Sequence, residues 1–161
     1  MKKIFSRPKS LKQAAFRYCP GCGHSLIHRL IAEAIDRLDI RTRLIGIAPV
    51  GCAVFAYDYF NFDILESAHG RPPALATALK RLMPEKIIFT YQGDGDLAAI
   101  GTAEIIHAAN RGENISVFFI NEPPRRRDGG VSKTKRKTVL SHILKSFNCP
   151  VRRSTSDLSR C

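Results

Sequence analysis

The chain has no apolar run approaching the roughly 20 residues that a membrane-spanning helix needs, which excludes an ordinary helical membrane anchor. Its N-terminus, MKKIFSRPKSLKQ, is basic but lacks the apolar centre of a secretory signal, so the expected location is the cytoplasm. The five cysteines are an odd number without a secretion signal, which argues against a disulfide framework. A second Cys-x-x-Cys pair, usual in zinc ribbons, is also lacking. There is no acidic excess either. The net charge is +12, which invites a nucleic-acid reading, but the charge is unevenly spread. Residues 1–121 hold 15 Lys/Arg against 11 Asp/Glu, whereas residues 122–161 hold 11 against 3. The main body is only mildly basic, and nucleic acid is not the expected partner.

What is present suits one domain of ordinary apolar content, 44% in 161 residues. After a basic arm (1–18, with a short helical turn expected at Leu11–Tyr18), the turn Cys19-Pro-Gly-Cys22-Gly-His24 leads into a helix. In that helix Leu26, Ile27, Leu30, Ile31, Ala34, Ile35 and Leu38 recur at helical spacing. Strands are expected at Leu44–Pro49, Asp63–Ser67, Lys86–Gln92 and Ile115–Asn121. Helices are expected at Pro73–Met83, where proline suits the first turn, and at Leu97–Asn110. Strands alternating with helices imply a parallel sheet in a layered α/β fold. The aromatics Phe55–Phe60 read as core or interface, and His107 as a packing or surface residue. His24, opening the first helix, reads as a cap.

The sharpest signal is Gly93-Asp94-Gly95-Asp96, at the carboxyl end of one strand and just before a helix. Ligands of parallel sheets bind beyond the carboxyl ends of strands. The glycines allow close approach of a backbone, and a helix start favours an anion. An aspartate beside a diphosphate becomes favourable when Mg²⁺ lies between them, and Asn121, ending the next strand, offers another oxygen. The plainer reading is a polar strand-to-helix turn with capping aspartates.

Cys19-x-x-Cys22 and the later Gly51-Cys52 supply three thiols. An iron–sulfur cluster accepts a close pair plus distant singles but needs four thiolates, and Cys149 or Cys161 would have to supply the fourth. Zinc and, for Cys52, a buried small residue are the alternatives.

Four blocks together resemble the β (thiamine diphosphate-binding) subunit of the 2-oxoacid:ferredoxin oxidoreductases: YCPGCGH at 18–24, IGIAPVGC at 45–52, HGRPPALATALK at 69–80 and TYQGDGDLAAIGTAEIIHAANRGENI at 90–115. They stand in family order over about residues 11–121, and the 2-oxoglutarate and branched-chain 2-oxoacid branches look closest. The resemblance implies a doubly wound α/β domain binding thiamine diphosphate, Mg²⁺ and a 4Fe–4S cluster. It implies oxidative decarboxylation of a 2-oxoacid to acyl-coenzyme A with reduction of ferredoxin, alongside an α/γ-type partner subunit. Carried over by position, Asp94 ligates Mg²⁺, and Gly93, Gly95 and Asp96 line the diphosphate site. His69, Gly70 and Arg71 lie near the cofactor, Arg71 being either a phosphate or carboxylate contact or a salt-bridged surface residue. Asn121 joins the cofactor site, and Cys19, Cys22 and Cys52 are the first three cluster ligands.

At residue 122 the likeness stops. Where the family reads Asn-Asn-x-x-Tyr-Gly-Met-Thr-Gly-Gly, this chain reads Asn121-Glu122-Pro-Pro-Arg-Arg-Arg-Asp-Gly-Gly130. Glu122 therefore takes the place of the family's side-chain Mg²⁺ ligand. The expectation is a cofactor domain, incomplete, over 1–121 and a poorly ordered basic tail over 122–161, arising from a reading-frame change near codon 122 or an equivalent truncation. The alternative function is a non-catalytic Cys-pair metal module whose basic tail binds nucleic acid.

Overall fold

A computed structural model describes residues 6–20 and 22–121. The expected tail, its helix at 139–147 and the positions of Glu122, Cys149 and Cys161 lie outside the described residues.

Four strands form one parallel sheet: β1 (Leu44–Pro49), β2 (Asp63–Ser67), β3 (Ile87–Gly93) and β4 (Ser116–Ile120), in the order β2-β1-β3-β4. Helix α1 (His24–Leu38) precedes β1, the short α2 (Ala56–Tyr59) lies between β1 and β2, α3 (Pro72–Leu82) connects β2 to β3, and α4 (Thr102–Asn110) connects β3 to β4. All six residues of β1 are buried, so its sequence, LIGIAP, shows no polar alternation; a parallel strand covered on both faces needs none. The edge strand β2 carries exposed Asp63 and Glu66, charges of the kind that discourage further pairing.

The alternation of side chains along β1 and β3 divides the core in two. Leu44, Ala48, Phe89 and Tyr91 pack with α1, α2 and the N-terminal arm. Ile45, Ile47 and Ile88 pack with Ala76, Leu75 and Leu79 of α3. Gly46 serves the first face, because a Cβ there would lie 2.7 Å from the Phe89 ring.

Three expectations are corrected. The arm forms no helical turn at 11–18. It runs extended, with Leu11 bridging Phe60, and is held because the Lys9 and Ser10 N–H groups and the Ser10 hydroxyl donate to Asp36. On α1 only three of the seven expected apolar positions, Ile27, Ile31 and Ile35, face inward. Ile31 and Ile35 are buried, whereas Leu26, Leu30 and Leu38 are exposed. The helix expected at Leu97–Asn110 is split into a π-helical turn, Asp96–Ile100, and α4, with Gly101 between them. The Gly101 N–H donates to Asp96 O at 2.7 Å, the wide bond that marks a π-turn. No helix among the described residues is long and apolar enough to cross a membrane.

Candidate functional site

β2 and β3 lie on opposite sides of β1, so the chain leaves the ends of β1 and β3 in opposite directions. Such a divergence opens a crevice at the carboxyl edge of a parallel sheet. A cavity of about 230 Å³ lies there. Val50, Gly51, Cys52 and Ala53 line it from the end of β1, Gly93–Asp96 from the end of β3 and Ile120 from the end of β4. His24 enters from the start of α1, and His69 from the loop between β2 and α3. A Cβ built on Gly93 or Gly95 would meet nothing within 4 Å, so both present bare backbone to open space beside the Asp94 carboxylate.

Beneath this rim Asp96 is 3% exposed and accepts three hydrogen bonds. One oxygen receives His69 Nδ1–H and, at 2.6 Å, the Gly70 N–H; the other receives Gln92 Nε2–H at 2.5 Å. The loop and the π-turn then meet backbone to backbone. Gly70 has φ +78°, and a Cβ on it would lie 2.7 Å from the Ile100 side chain and 2.9 Å from Gly101 N. A Cβ on Gly101 would lie 2.7 Å from Gly70 O. Glycine is required at both positions because no side chain fits between the two segments.

On the other face of the sheet, rings pack toward the same rim. Tyr91 OH lies 2.5 Å from His24 Nδ1, and Tyr18 OH lies 2.6 Å from His28 Nε2. Tyr18 stacks on His24 at 4.8 Å, and His28 on Tyr91 at 4.7 Å. Burial, with a smaller contribution from neighbouring His24, pushes His28 down to about 3. Burial pushes the Tyr18 phenol up, helped by Tyr59 and by the Cys52 and Cys22 thiols. Both groups are therefore neutral near neutral pH. His24 is not the helix cap; Gly23 holds that position, and the His24 ring is committed to Tyr91 and the cavity.

Of the residues singled out from sequence, the fold gathers His69, Gly93, Asp94, Gly95, Asp96 and Cys52 around one cavity. Gly70 contributes a backbone N–H to Asp96 instead of lining the cavity. Arg71 is exposed and ion-paired with Glu104 of α4. Asn121 follows β4 without lining the cavity. Cys19 accepts a backbone hydrogen bond from Cys22 at 3.0 Å, and both thiols are free. Among the described residues no three or more His, Cys, Asp or Glu side chains gather into a group able to hold a metal ion. Sequence reading missed Gln92 and Tyr91. The signal for Gln92 was a polar residue at a buried position of an apolar strand, directly before the GDGD turn.

Residues 49–123 match the thiamine pyrophosphate enzyme family, C-terminal TPP binding domain. The chain is 49% identical over 127 residues to ketoisovalerate oxidoreductase subunit VorA of Methanothermobacter thermautotrophicus, a match covering 79% of this chain and 27% of that protein. It is 36% identical over 114 residues to 2-oxoglutarate synthase subunit KorB of Methanocaldococcus jannaschii, covering 70% of this chain and 42% of that one. The chain thus spans less than half the length of these curated relatives. Among solved structures, the 2-oxoglutarate:ferredoxin oxidoreductase from Magnetococcus marinus, with 2-oxoglutarate, coenzyme A and succinyl-CoA bound, superposes with a TM-score of 0.68 at 27% identity. That match covers 76% of this chain and 43% of the solved chain.

Proposed function

Because residues 49–123 match the thiamine pyrophosphate enzyme family, C-terminal TPP binding domain, we propose that the chain is the β-subunit part of a 2-oxoacid:ferredoxin oxidoreductase. The reaction proposed is oxidative decarboxylation of a 2-oxoacid to acyl-coenzyme A, with electrons passed to ferredoxin. The observation that carries this reading is the cavity at the diverging ends of β1 and β3, with Asp94 between two glycines whose backbones are open to it.

The residues fit a Mg²⁺-bridged diphosphate. Asp94 would hold Mg²⁺, which pairs one or two protein oxygens with phosphate oxygens, and Asn121 is the second proposed oxygen donor. Gly93 and Gly95 leave room for phosphate against the backbone. Once bound, thiamine diphosphate supplies a nucleophilic carbon and an electron sink for decarboxylation; the chain's task is to bind and orient it. Whole-ligand sites occupy roughly 300–1,000 Å³, and this cavity is about 230 Å³. The size supports holding the diphosphate end here, with an α/γ-type subunit completing the site for the 2-oxoacid and coenzyme A.

Cys19, Cys22 and Cys52 are proposed ligands of a 4Fe–4S cluster, but as folded they do not gather into a metal-holding group among the described residues. Iron and acid-labile sulfide content after anaerobic reconstitution decides this, with loss expected in C19S, C22S and C52S. The domain division follows the same reading: 1–121 as the N-terminal part of the cofactor domain, 122–161 as a basic tail produced by a frame change. Translating the other frames beyond codon 121 should yield a Tyr-Gly-Met-Thr-Gly-Gly continuation.

Titration calorimetry of the full chain tests the main proposal. Thiamine diphosphate should bind in the presence of Mg²⁺ and not in its absence. Asp94→Asn should weaken binding by more than the roughly 10–100-fold that loss of an outer partner of a metal ligand typically costs. A wild-type chain that binds no cofactor overturns the reading.

A further inference from the structure

Asp96 and Asp94 lie in one motif, and the fold gives them different surroundings. Of the roughly four lone-pair sites on a carboxylate, three on Asp96 are taken by His69 Nδ1–H, the Gly70 N–H and Gln92 Nε2–H. Its backbone oxygen is held by Gly101 N–H at 2.7 Å. The Gln92 amide is turned so that its nitrogen meets Asp96, although this leaves Gln92 Oε1 buried without a partner. A buried acceptor left unsatisfied is costly, so the orientation is imposed by the carboxylate. Asp96 thus spends its oxygens inward, on the loop that carries His69.

The His69 side chain is 40% exposed and lines the cavity beside Gly93–Gly95. With Nδ1 committed to Asp96, the opposite edge of the ring, which carries Nε2, is the part left to the cavity. A neutral imidazole that donates from Nδ1 has its lone pair on Nε2.

We propose that Asp96 is a positioning residue and not a cofactor ligand: it fixes His69 as the Nδ1–H tautomer and turns Nε2 toward the cavity, as an acceptor for an N–H or O–H of the bound ligand. The ligand half rests on the cofactor reading above; the tautomer half does not. The geometry is that of a carboxylate–imidazole pair in which the acid orients the ring and the far nitrogen faces the reacting partner.

Two variants separate this from a merely structural pin. Asp96→Leu removes both acceptor oxygens at about the same size, leaving nothing in that place to receive Nδ1–H. In full chain labelled with ¹⁵N-histidine, with the His69 resonances assigned by their loss in His69→Gln, wild type should show the Nδ1–H tautomer and Asp96→Leu the Nε2–H tautomer. His69→Asn keeps a donor near the Nδ1 position and removes Nε2. It should keep the wild-type melting temperature and bind Mg²⁺–thiamine diphosphate about tenfold more weakly, the upper end of one hydrogen bond's net worth. An Nε2–H tautomer in wild type, an unchanged tautomer in folded Asp96→Leu, or wild-type affinity in His69→Asn each overturns the proposal. Should wild type bind no thiamine diphosphate, the cofactor reading falls, while the tautomer still decides the role of Asp96.

Discussion

The two faces of the sheet are built from different chemistry. The α3 face is mainly aliphatic, with Ile45, Ile47 and Ile88 against Leu75, Ala76 and Leu79 and two buried threonines, Thr77 and Thr90; at the cavity Gln92 and Asp96 form a polar hub. The α1 face is ring-rich throughout: Tyr59, Phe60, Phe89 and Tyr91 are buried together with His24 and His28. An aliphatic layer packs without demanding hydrogen bonds. A layer of tyrosines and histidines must also pair its polar tips, and here those pairs extend from Tyr18, near the Cys22 and Cys52 thiols, to His24 at the cavity. The α3 face therefore sets the position of the strand ends, and the α1 face connects them to the thiol-bearing turns.

The largest break in this contrast should come from Phe60→Ala. Phe60 is fully buried, edge-on to His28 at 4.7 Å and stacked on Phe62 at 4.9 Å. Its loss should cost about 3–5 kcal/mol in urea unfolding and disturb the ring network as well as the packing.

Next is the acid response of His28. Its folded pKa of about 3 lies below its ordinary 6.5. Between those values the unfolded chain binds a proton that the folded chain refuses. The contribution is intact above pH 6.5 and lost as pH falls toward 3. From about pH 6.5 to 5 the loss should be on the order of 2 kcal/mol, from 1.36 kcal/mol per unit. His28→Gln should flatten that part of the urea-midpoint profile; an unchanged slope would place the acid sensitivity elsewhere.

Much of this was legible from sequence, for reasons that differ by residue. The strands and most helix bounds followed from local periodicity, and GDGD marked the cavity because it stands between a strand end and a helix start in a parallel sheet, where ligands bind. The extended arm was not legible, since what holds it is Asp36, 26 residues beyond Ser10. Nor was the π-turn, which depends on Gly101 meeting Gly70 across 31 positions of chain. His24 looked like a cap because its partner, Tyr91, lies 67 residues away. Local pattern fixes elements; contacts between distant segments assign the roles of residues within them.

Gly70→Ala tests the joint between the faces and the cavity. At φ +78° an added Cβ would press on Ile100 and Gly101 N, and strain plus overpacking should cost about 2 kcal/mol. Gly112, at φ +62°, has open space around its Cβ position. Gly112→Ala should therefore show only the left-handed backbone penalty, about 1 kcal/mol. Equal losses in the two variants would mean that the loop does not lean on the π-turn.

The smallest effect should come from Ile47→Val. Ile47 is fully buried on the aliphatic face and belongs to β1, whose far end borders the cavity. Removing one methylene should cost about 0.5–1.5 kcal/mol, and nothing polar depends on it. If the α3 face serves only to hold the strand ends in place, thermal stability should fall by that amount while Mg²⁺–thiamine diphosphate affinity and the His69 tautomer stay as in wild type. A change in either would show that the aliphatic layer transmits its packing to the site. The division of labour between the faces would then be one of degree, with the position of Asp94 depending on the fit of a methyl group beneath a neighbouring strand.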